Sequence, residues 1–438
     1  MLPALVLLLL PVVTLPAQAA SSAPLSLGPA AVALTGPWQF QVGDDSRWAQ
    51  PGFDDAAWEK VDLTPKPGAH DGDVGLTGYV PGWSSRGHQG YTGFAWYRLR
   101  VRVDSGAPAL WLAGPALLDN GYELYFNGRL LGGSGDLSAS PPVLFSSRPQ
   151  LFELPRALWS QEGQALSGVI ALRVASAAIS GGPEGGGIHI APVLGTETGV
   201  RNHYRIQWLE KVEGYLVDAV EPVFFLMLAV MALATIAFDP SDRFNLWMAA
   251  FLTLLAVARL NQPLFWLGHF ESLRDFVLWR LAVVDALTLG AWVMAWRAAL
   301  RLSTLRWIAV LCALLTALYV VARIAGNPIV IPGMPAAAMA AGAWLVKVTR
   351  LGFLALLVSL LVIGARRGEA SWTSFLAVTF GSVGLYASEL GQLGVPGIWF
   401  PFGVGVSRTE YAYAAFTLVL FVYLLQRLWR FVPARLAT

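Results

Sequence analysis

The second half of this chain is a succession of apolar runs, each close to the length that crosses a bilayer. They lie at roughly 215–237, 244–262, 277–297, 307–324, 344–365, 373–393 and 409–430. A hydrocarbon layer about 30 Å thick takes about 20 helical residues at a rise of about 1.5 Å each. Backbone polar groups find no water there, so a spanning segment must satisfy them internally, as a helix does. The runs predict an all-α domain of seven membrane-spanning helices over 206–431, with a short tail at 432–438. Residues 326–343 contain Pro328, Pro332 and Pro335 and do not read as a span.

The first half has a different make-up. Only 13% of the 438 residues are charged, against about 25% in a soluble domain, but that average conceals a division. Residues 21–208 carry 13 Lys/Arg and 16 Asp/Glu among turns rich in Gly, Pro and Ser, whereas residues 209–438 carry 17 and 12. The net charge of +2 therefore joins an acidic polar domain to a basic membrane domain. The cations are scattered and form no basic run, which argues against a nucleic-acid partner. A single cysteine, Cys312, leaves no disulfide framework and no cysteine-built metal site. The five histidines (His70, His88, His189, His203 and His269) form no HExxH and no i, i+4 pair. No cofactor is expected.

Residues 1–19 read as a signal peptide. Leu5 to Leu15 is an apolar core interrupted by Pro11, and Ala17-Gln18-Ala19 fits a small-x-small cleavage pattern. The stretch before it has no Lys or Arg, which leaves an uncleaved anchor as the alternative. Export would put the domain at 20–205 outside the cytoplasm. Strand signals dominate that domain. Residues 96–103 alternate bulky apolar side chains with Arg98, Arg100 and Arg102, as a half-buried strand does. Residues 109–112, 122–126 and 169–174 read as further strands, and Asn127-Gly128 between apolar runs signals a tight hairpin. Short strands without helical periodicity predict an antiparallel β-sandwich.

Four motifs then follow in order: Leu34-Thr35-Gly36-Pro37-Trp38-Gln39-Phe40, Pro51 to Trp58, Tyr91 to Arg98, and Tyr122 to Gly128. This order resembles the galactose-binding-like jelly roll that serves as the sugar-binding domain of glycoside hydrolase family two enzymes. The resemblance covers about 30–195 and implies that Trp38, Phe53, Trp58, Trp96 and Tyr97 build the core. In that family the catalytic glutamates sit on a separate barrel domain, which has no counterpart here. Glycosidase chemistry also needs two carboxylates facing across a cleft. Asp54-Asp55 and Asp71-x-Asp73 are instead read as turn carboxylates, or as part of a structural calcium site. A sugar face stacks on an aromatic ring while its hydroxyls take polar partners. The loop 79–91 offers that mixture, so Trp83, Arg86, His88 and Tyr91 are ligand candidates, with Asp119 and Asn120 a second set.

The membrane segments carry charges, which are costly there and often functional. If residue 21 onward is exported, all of them fall in the outer halves of the spans: Asp218, Glu221, Arg259, Arg280, Asp285, Arg323, Lys347, Arg350, Glu389 and Glu410. Asp218, Arg323, Lys347 and Glu410 lie near span ends, where snorkelling to the headgroups explains them. Glu221, Arg259, Arg280, Asp285, Arg350 and Glu389 are read as a transmembrane polar cluster. Replacing Asp285 alone should then be damaging and a paired replacement restorative. The inner segments hold nine arginines (Arg243, Arg297, Arg301, Arg306, Arg366, Arg367, Arg427, Arg430 and Arg435) and the outer ones Arg274, Arg323 and Arg408, as the positive-inside rule requires for seven spans.

A signal segment, a jelly roll, a connector at 195–199, an aromatic juxtamembrane stretch and seven spans together resemble the bacterial seven-transmembrane receptors with diverse intracellular signalling modules. That resemblance implies an inner-membrane sensor with a periplasmic domain that binds a carbohydrate or other small molecule. It also implies a cytoplasmic histidine kinase, diguanylate cyclase or phosphatase as output, either beyond Thr438 or on a separate chain, and signal passage through a homodimer. These 438 residues are therefore expected to be non-catalytic. The competing reading is a transporter or membrane-embedded enzyme with an accessory carbohydrate-binding domain.

Overall fold

The computed structural model describes residues 30–72, 75–177, 183–236, 240–268, 270–395, 398–399 and 406–429. The proposed signal peptide, the 432–438 tail, Asp73 and His269 lie outside them. The described chain divides into an N-terminal β-sheet region and a C-terminal helical region.

The β-region is built from β1 (Ala31–Ala33), β2 (Trp38–Val42), β3 (Glu59–Val61), β4 (Gly93–Asp104), β5 (Leu110–Ala113), β6 (Leu118–Asp119), β7 (Gly121–Phe126), β8 (Arg129–Ser134), β9 (Leu151–Leu154), β10 (Ser160–Glu162), β11 (Ala165–Ser176), β12 (Gly187–Ile188) and β13 (Val193–Thr196). One antiparallel sheet runs β3-β2-β4-β11-β7-β8, with β10 added to β11, and a second runs β1-β13-β5-β9. Trp38, Phe40, Tyr97, Leu124, Ile170 and Leu172 of the first sheet share one core with Leu112, Phe152, Leu154 and Leu194 of the second. The Asn-Gly signal is realised between β7 and β8. Asn127 and Gly128 have φ of 46° and 82°, the left-handed pair that lets a two-residue turn match strand twist.

Arg100 and Arg102 of β4 are exposed, as the alternation predicts, but Arg98 departs from it. Arg98 is fully buried beneath a layer formed by residues 46–58. Its Nε donates to Asp55 Oδ2 at 2.7 Å, another nitrogen donates to Trp48 O, and its guanidinium lies 5.7 Å from the Phe53 ring centre and 5.9 Å from that of Trp58. Asp55 also accepts from Arg100 at 3.2 Å. Burial raises the Asp55 pKa, but the two guanidiniums outweigh it and hold the carboxyl below the usual range. Asp55 is thus neither a simple turn carboxylate nor available to calcium.

The helices are α1 (Glu197–Gly214), α2 (Leu216–Ile236), α3 (Arg243–Leu267), α4 (Leu273–Ala299), α5 (Arg306–Ala325), α6 (Ala336–Arg366), α7 (Trp372–Leu385), α8 (Ala387–Gln392) and α9 (Arg408–Trp429). Among the described residues, six helical segments are long and apolar enough to cross a membrane: α1–α2 together, α3, α4, α5, α6 and α9. The sixth predicted span, 373–393, is broken at Tyr386 into the 14-residue α7 and the 6-residue α8. At about 1.5 Å per residue α7 alone reaches only about 21 Å. Large apolar side chains such as Met227, Val230, Leu314 and Leu418 point outward, while Phe251, Trp292, Trp296, Phe416 and Leu420 pack inside. That is the burial pattern of a bundle in an apolar solvent.

Helix α1 straddles the boundary expected at 205. Thr196 caps its start, accepting from Gly199 N at 3.2 Å, and Val200 packs on Ala113 and Val193 of the β-region. At its other end Lys211 is buried, donates to Ser147 O, and sits 5.8 Å from the Trp266 ring of α3. The loop 144–147 completes the joint. Leu273 N donates to Leu144 O at 2.7 Å, and Ala177 packs with Phe265, Leu273 and Phe276. Nothing local in the sequence distinguishes Lys211 from a solvated juxtamembrane lysine.

Candidate functional site

Two regions were expected to carry ligands, and the structure treats them differently. In the loop at 79–91, Trp83 opens a short 3-10 turn and is 1% exposed. Its indole packs against Phe40 and Tyr91 in the sandwich core, and its Nε1 donates to Tyr91 O at 3.2 Å. It is a core residue and offers no platform for a sugar. Tyr91 is half-buried, with its hydroxyl donating to Phe94 O at 2.6 Å. Arg86 Nε donates to Pro81 O at 3.3 Å, and His88 Nε2 pairs with Glu59 Oε2 at 2.8 Å.

The second pair is likewise engaged in holding the fold. Asp119 Oδ2 accepts from Gly186 N at 2.7 Å and lies 3.0 Å from His189 Nε2. Asn120 is buried and accepts from Ala177 N at 2.8 Å. Burial disfavours the charged form of His189, but the Asp119 carboxylate and Val80 O together hold its pKa above the ordinary value. The six residues thus form no single open site. The cation-site alternative for the carboxylates gains no support either: no group of three His, Cys, Asp or Glu among the described residues is arranged to hold a metal.

The helical region does gather its charges. Asp218 and Glu221 lie three residues apart on one face of α2, and both meet Arg259 of α3. Glu221 Oε2 is 2.9 Å from Arg259 Nε, Asp218 pairs with Nη2, and Glu410 Oε1 of α9 lies 3.8 Å from Nη2. One guanidinium therefore ties three helices. Arg350 of α6 bonds Glu389 of α8, with one contact at 3.0 Å. Its Nη2 also donates at 2.6 Å to Leu385 O, just before the break at Tyr386. The helix break and the arginine explain each other: a carbonyl freed from the helix ladder inside a bundle needs a donor.

Arg280 and Asp285 form the third pair. In an α-helix a spacing of five turns side chains about 140° apart. Residues 277–284 of α4 are instead wound as a π-helix, and Asp285 N donates to Arg280 O. That i to i+5 ladder brings Asp285 nearly over Arg280 and allows the pair. Arg280 Nε is fixed by Ala258 O at 2.8 Å. Sequence spacing gave no sign of this winding.

Arg259, Arg280, Asp285, Arg350 and Glu389 all line one cavity of about 470 Å³, joined by Arg323, Lys347, Thr288, Gln392 and Tyr413. Glu221 lies behind Arg259. A second cavity, of about 900 Å³, lies at the joint. Its walls are Thr92, Pro141 to Phe145 and Ala177 of the β-region, residues 270–275 before and at the start of α4, and Pro328, Ile329 and Pro332.

No family model and no curated protein matches the chain. Solved structures with partial likeness include β-glucuronidases. One is Bacteroides uniformis β-glucuronidase 2 covalently bound to cyclophellitol-6-carboxylate aziridine: 17% identity, TM-score 0.27, covering 37% of this chain and 17% of that one. Another is Ruminococcus gnavus β-glucuronidase: 14% identity, TM-score 0.24, covering 37% and 28%. The chain thus spans well under two thirds of these enzymes' length.

Proposed function

We propose that this chain is the sensing and membrane-transducing part of a bacterial inner-membrane receptor, with a galactose-binding-like jelly roll in the periplasm. The observation that carries this reading is the cavity of about 900 Å³ whose walls come from both regions. A small molecule or carbohydrate bound there touches the β-region and the helices at once, so binding has a direct mechanical route into the bundle. The helical segment Glu197–Ile236 adds a second route: α1 lies on the β-region, and α2 carries Asp218 and Glu221 into the polar cluster. Counting α7 and α8 as one crossing makes seven passes. Arg243, Arg297, Arg301, Arg306, Arg366, Arg367 and Arg427 then lie at the end away from the β-region, which supports a cytoplasmic assignment for that end. Output passes to a cytoplasmic signalling domain or protein, with a homodimer as the means of relay.

The test uses the full chain in phosphatidylcholine nanodiscs on a glycan array, followed by thermal unfolding with each hit. The reading expects a glycan that raises the midpoint for the parent and not for Val143→Trp, which puts an indole into the joint cavity. Stabilisation equal in both overturns it. The competing transporter reading is favoured by the broken helix beside Arg350, since transporters bind substrate at interrupted helices. Uptake of the same hit into proteoliposomes would select it.

A further inference from the structure

We propose that the cavity lined by α3 to α9 is a binding site for an oxyanion, a phosphate or carboxylate headgroup borne on a small apolar body. The inference does not depend on the receptor reading, because it concerns a different cavity and asks only what that cavity binds.

Charge is the first ground. The wall presents five cations, Arg259, Arg280, Arg323, Lys347 and Arg350, and two carboxylates, Asp285 and Glu389. The three carboxylates around Arg259 do not line it. Arg259, Arg280 and Arg350 are held by the pairs described above. Arg323 and Lys347 make no ion pair among the described residues; Arg323 Nε only donates to Tyr319 Oη at 3.4 Å. Two cations thus line the cavity without an ion-pair partner among the described residues, and a bound anion gives both a charge-assisted partner.

Their placement is the second ground. Helices α5 and α6 run antiparallel and touch through glycine: a Cβ built on Gly326 would lie 2.5 Å from Gly342 Cα. Arg323 lies three residues before that contact and Lys347 five residues after it. At about 1.5 Å per residue both come to within about 3 Å of the same depth. Snorkelling alone does not require two helices to cross so closely there. The remaining wall, with Leu255, Leu289, Val346 and Leu385, suits an apolar body, and Thr288, Ser388 and Gln392 add polar contacts. A volume of about 470 Å³ falls within the range of small-molecule sites.

The probe is phenyl phosphate, with phenol as the neutral control. The protein is the full chain in phosphatidylcholine nanodiscs in chloride-free buffer. Saturable binding by calorimetry is expected for phenyl phosphate and not for phenol, with affinity reduced about tenfold or more in Arg323→Gln/Lys347→Gln. Neither side chain is in an ion pair, so this variant should keep the parent's unfolding midpoint without ligand. Lys347→Glu offers Arg323 an internal partner and should abolish binding while leaving that midpoint intact. Replacing part of the phosphatidylcholine with phosphatidylglycerol separates the sources. Competition with phenyl phosphate assigns the oxyanion to a lipid headgroup, and its absence assigns it to a soluble molecule. No saturable binding of phenyl phosphate, or unchanged binding in the double variant, overturns the proposal. The jelly-roll ligand is tested separately with Val143→Trp, so the two readings fail independently.

Discussion

Asp285→Leu is the sharpest perturbation of the helical region. It removes the carboxylate opposite Arg280 and leaves the guanidinium held only by Ala258 O at 2.8 Å. Breaking a buried pair by deleting one partner costs about 3–5 kcal/mol, because the remaining charge stays desolvated. Here the two side chains are 15% and 21% exposed and face a cavity, so the lower figure applies, about 2–3 kcal/mol once solvent access is allowed for. Replacing both residues with apolar ones of similar size removes the stranded charge. Arg280→Met/Asp285→Leu should therefore recover most of the loss, a coupling of about 2 kcal/mol in a double-mutant cycle. The assay is unfolding of the reconstituted full chain by denaturing detergent, followed by tryptophan fluorescence. Trp279, Trp292 and Trp296 lie on the same helix as the pair. Asp285→Leu within about 0.5 kcal/mol of the parent, or a double variant as damaged as the single one, would refute the reasoning. The first result would mean that the pair is solvated from the cavity. The second would mean that the π-helix, and not the charge pairing, is what the substitution breaks.

Three further outcomes follow from the same structure. Arg98→Met should cost about 3 kcal/mol, because it leaves Asp55 buried with only Arg100 and strips the carbonyl of Trp48 of its side-chain donor; thermal unfolding of the full chain reads it. His189, whose pKa is raised in the folded state, contributes stability that is fully present below its unfolded value of about 6.5 and lost as pH rises through its folded value. Unfolding midpoints measured upward from pH 6 should therefore fall, and His189→Gln should flatten that fall. Gly342→Val should destabilise the α5–α6 crossing by about 1–3 kcal/mol through overpacking. Val362→Ala, on the outward face of α6, is the control that stays near the parent in the same unfolding assay.

Much of the element plan was legible in the sequence. The strands at 96–103, 109–112, 122–126 and 169–174 fall on β4, β5, β7 and β11, and the Asn127-Gly128 turn is where the pattern puts it. Six of the seven apolar runs correspond to long helices or parts of them. The polar cluster was legible only as a set of residues. All six of Glu221, Arg259, Arg280, Asp285, Arg350 and Glu389 take part in ion pairs across or along these helices. In the loop at 79–91 it was Trp83 that misled, because a tryptophan amid Gly, Pro and Ser looks exposed until a distant segment closes over it. Gly186 and Gly187 pack directly on the Trp83 ring, from a part of the chain far removed in sequence.

The sequence alone determined where water and hydrocarbon can lie. Apolar run length, period-two alternation and turn chemistry are local properties, and solvent acts on them locally. It also determined that the charges of the helical region would keep towards the ends of the apolar runs, since arginines and carboxylates are expensive anywhere deeper. Only the tertiary structure decided which of those charges neutralise one another and which stay open. Helix α4 had to unwind into π geometry for Arg280 to reach Asp285, α7 had to break for Arg350 to gain Leu385 O, and Gly326 had to meet Gly342 for Arg323 and Lys347 to share a depth. Pairing depends on helix register and crossing distance to within a few ångströms. Those are set by the packing of whole helices, which no short window of sequence contains.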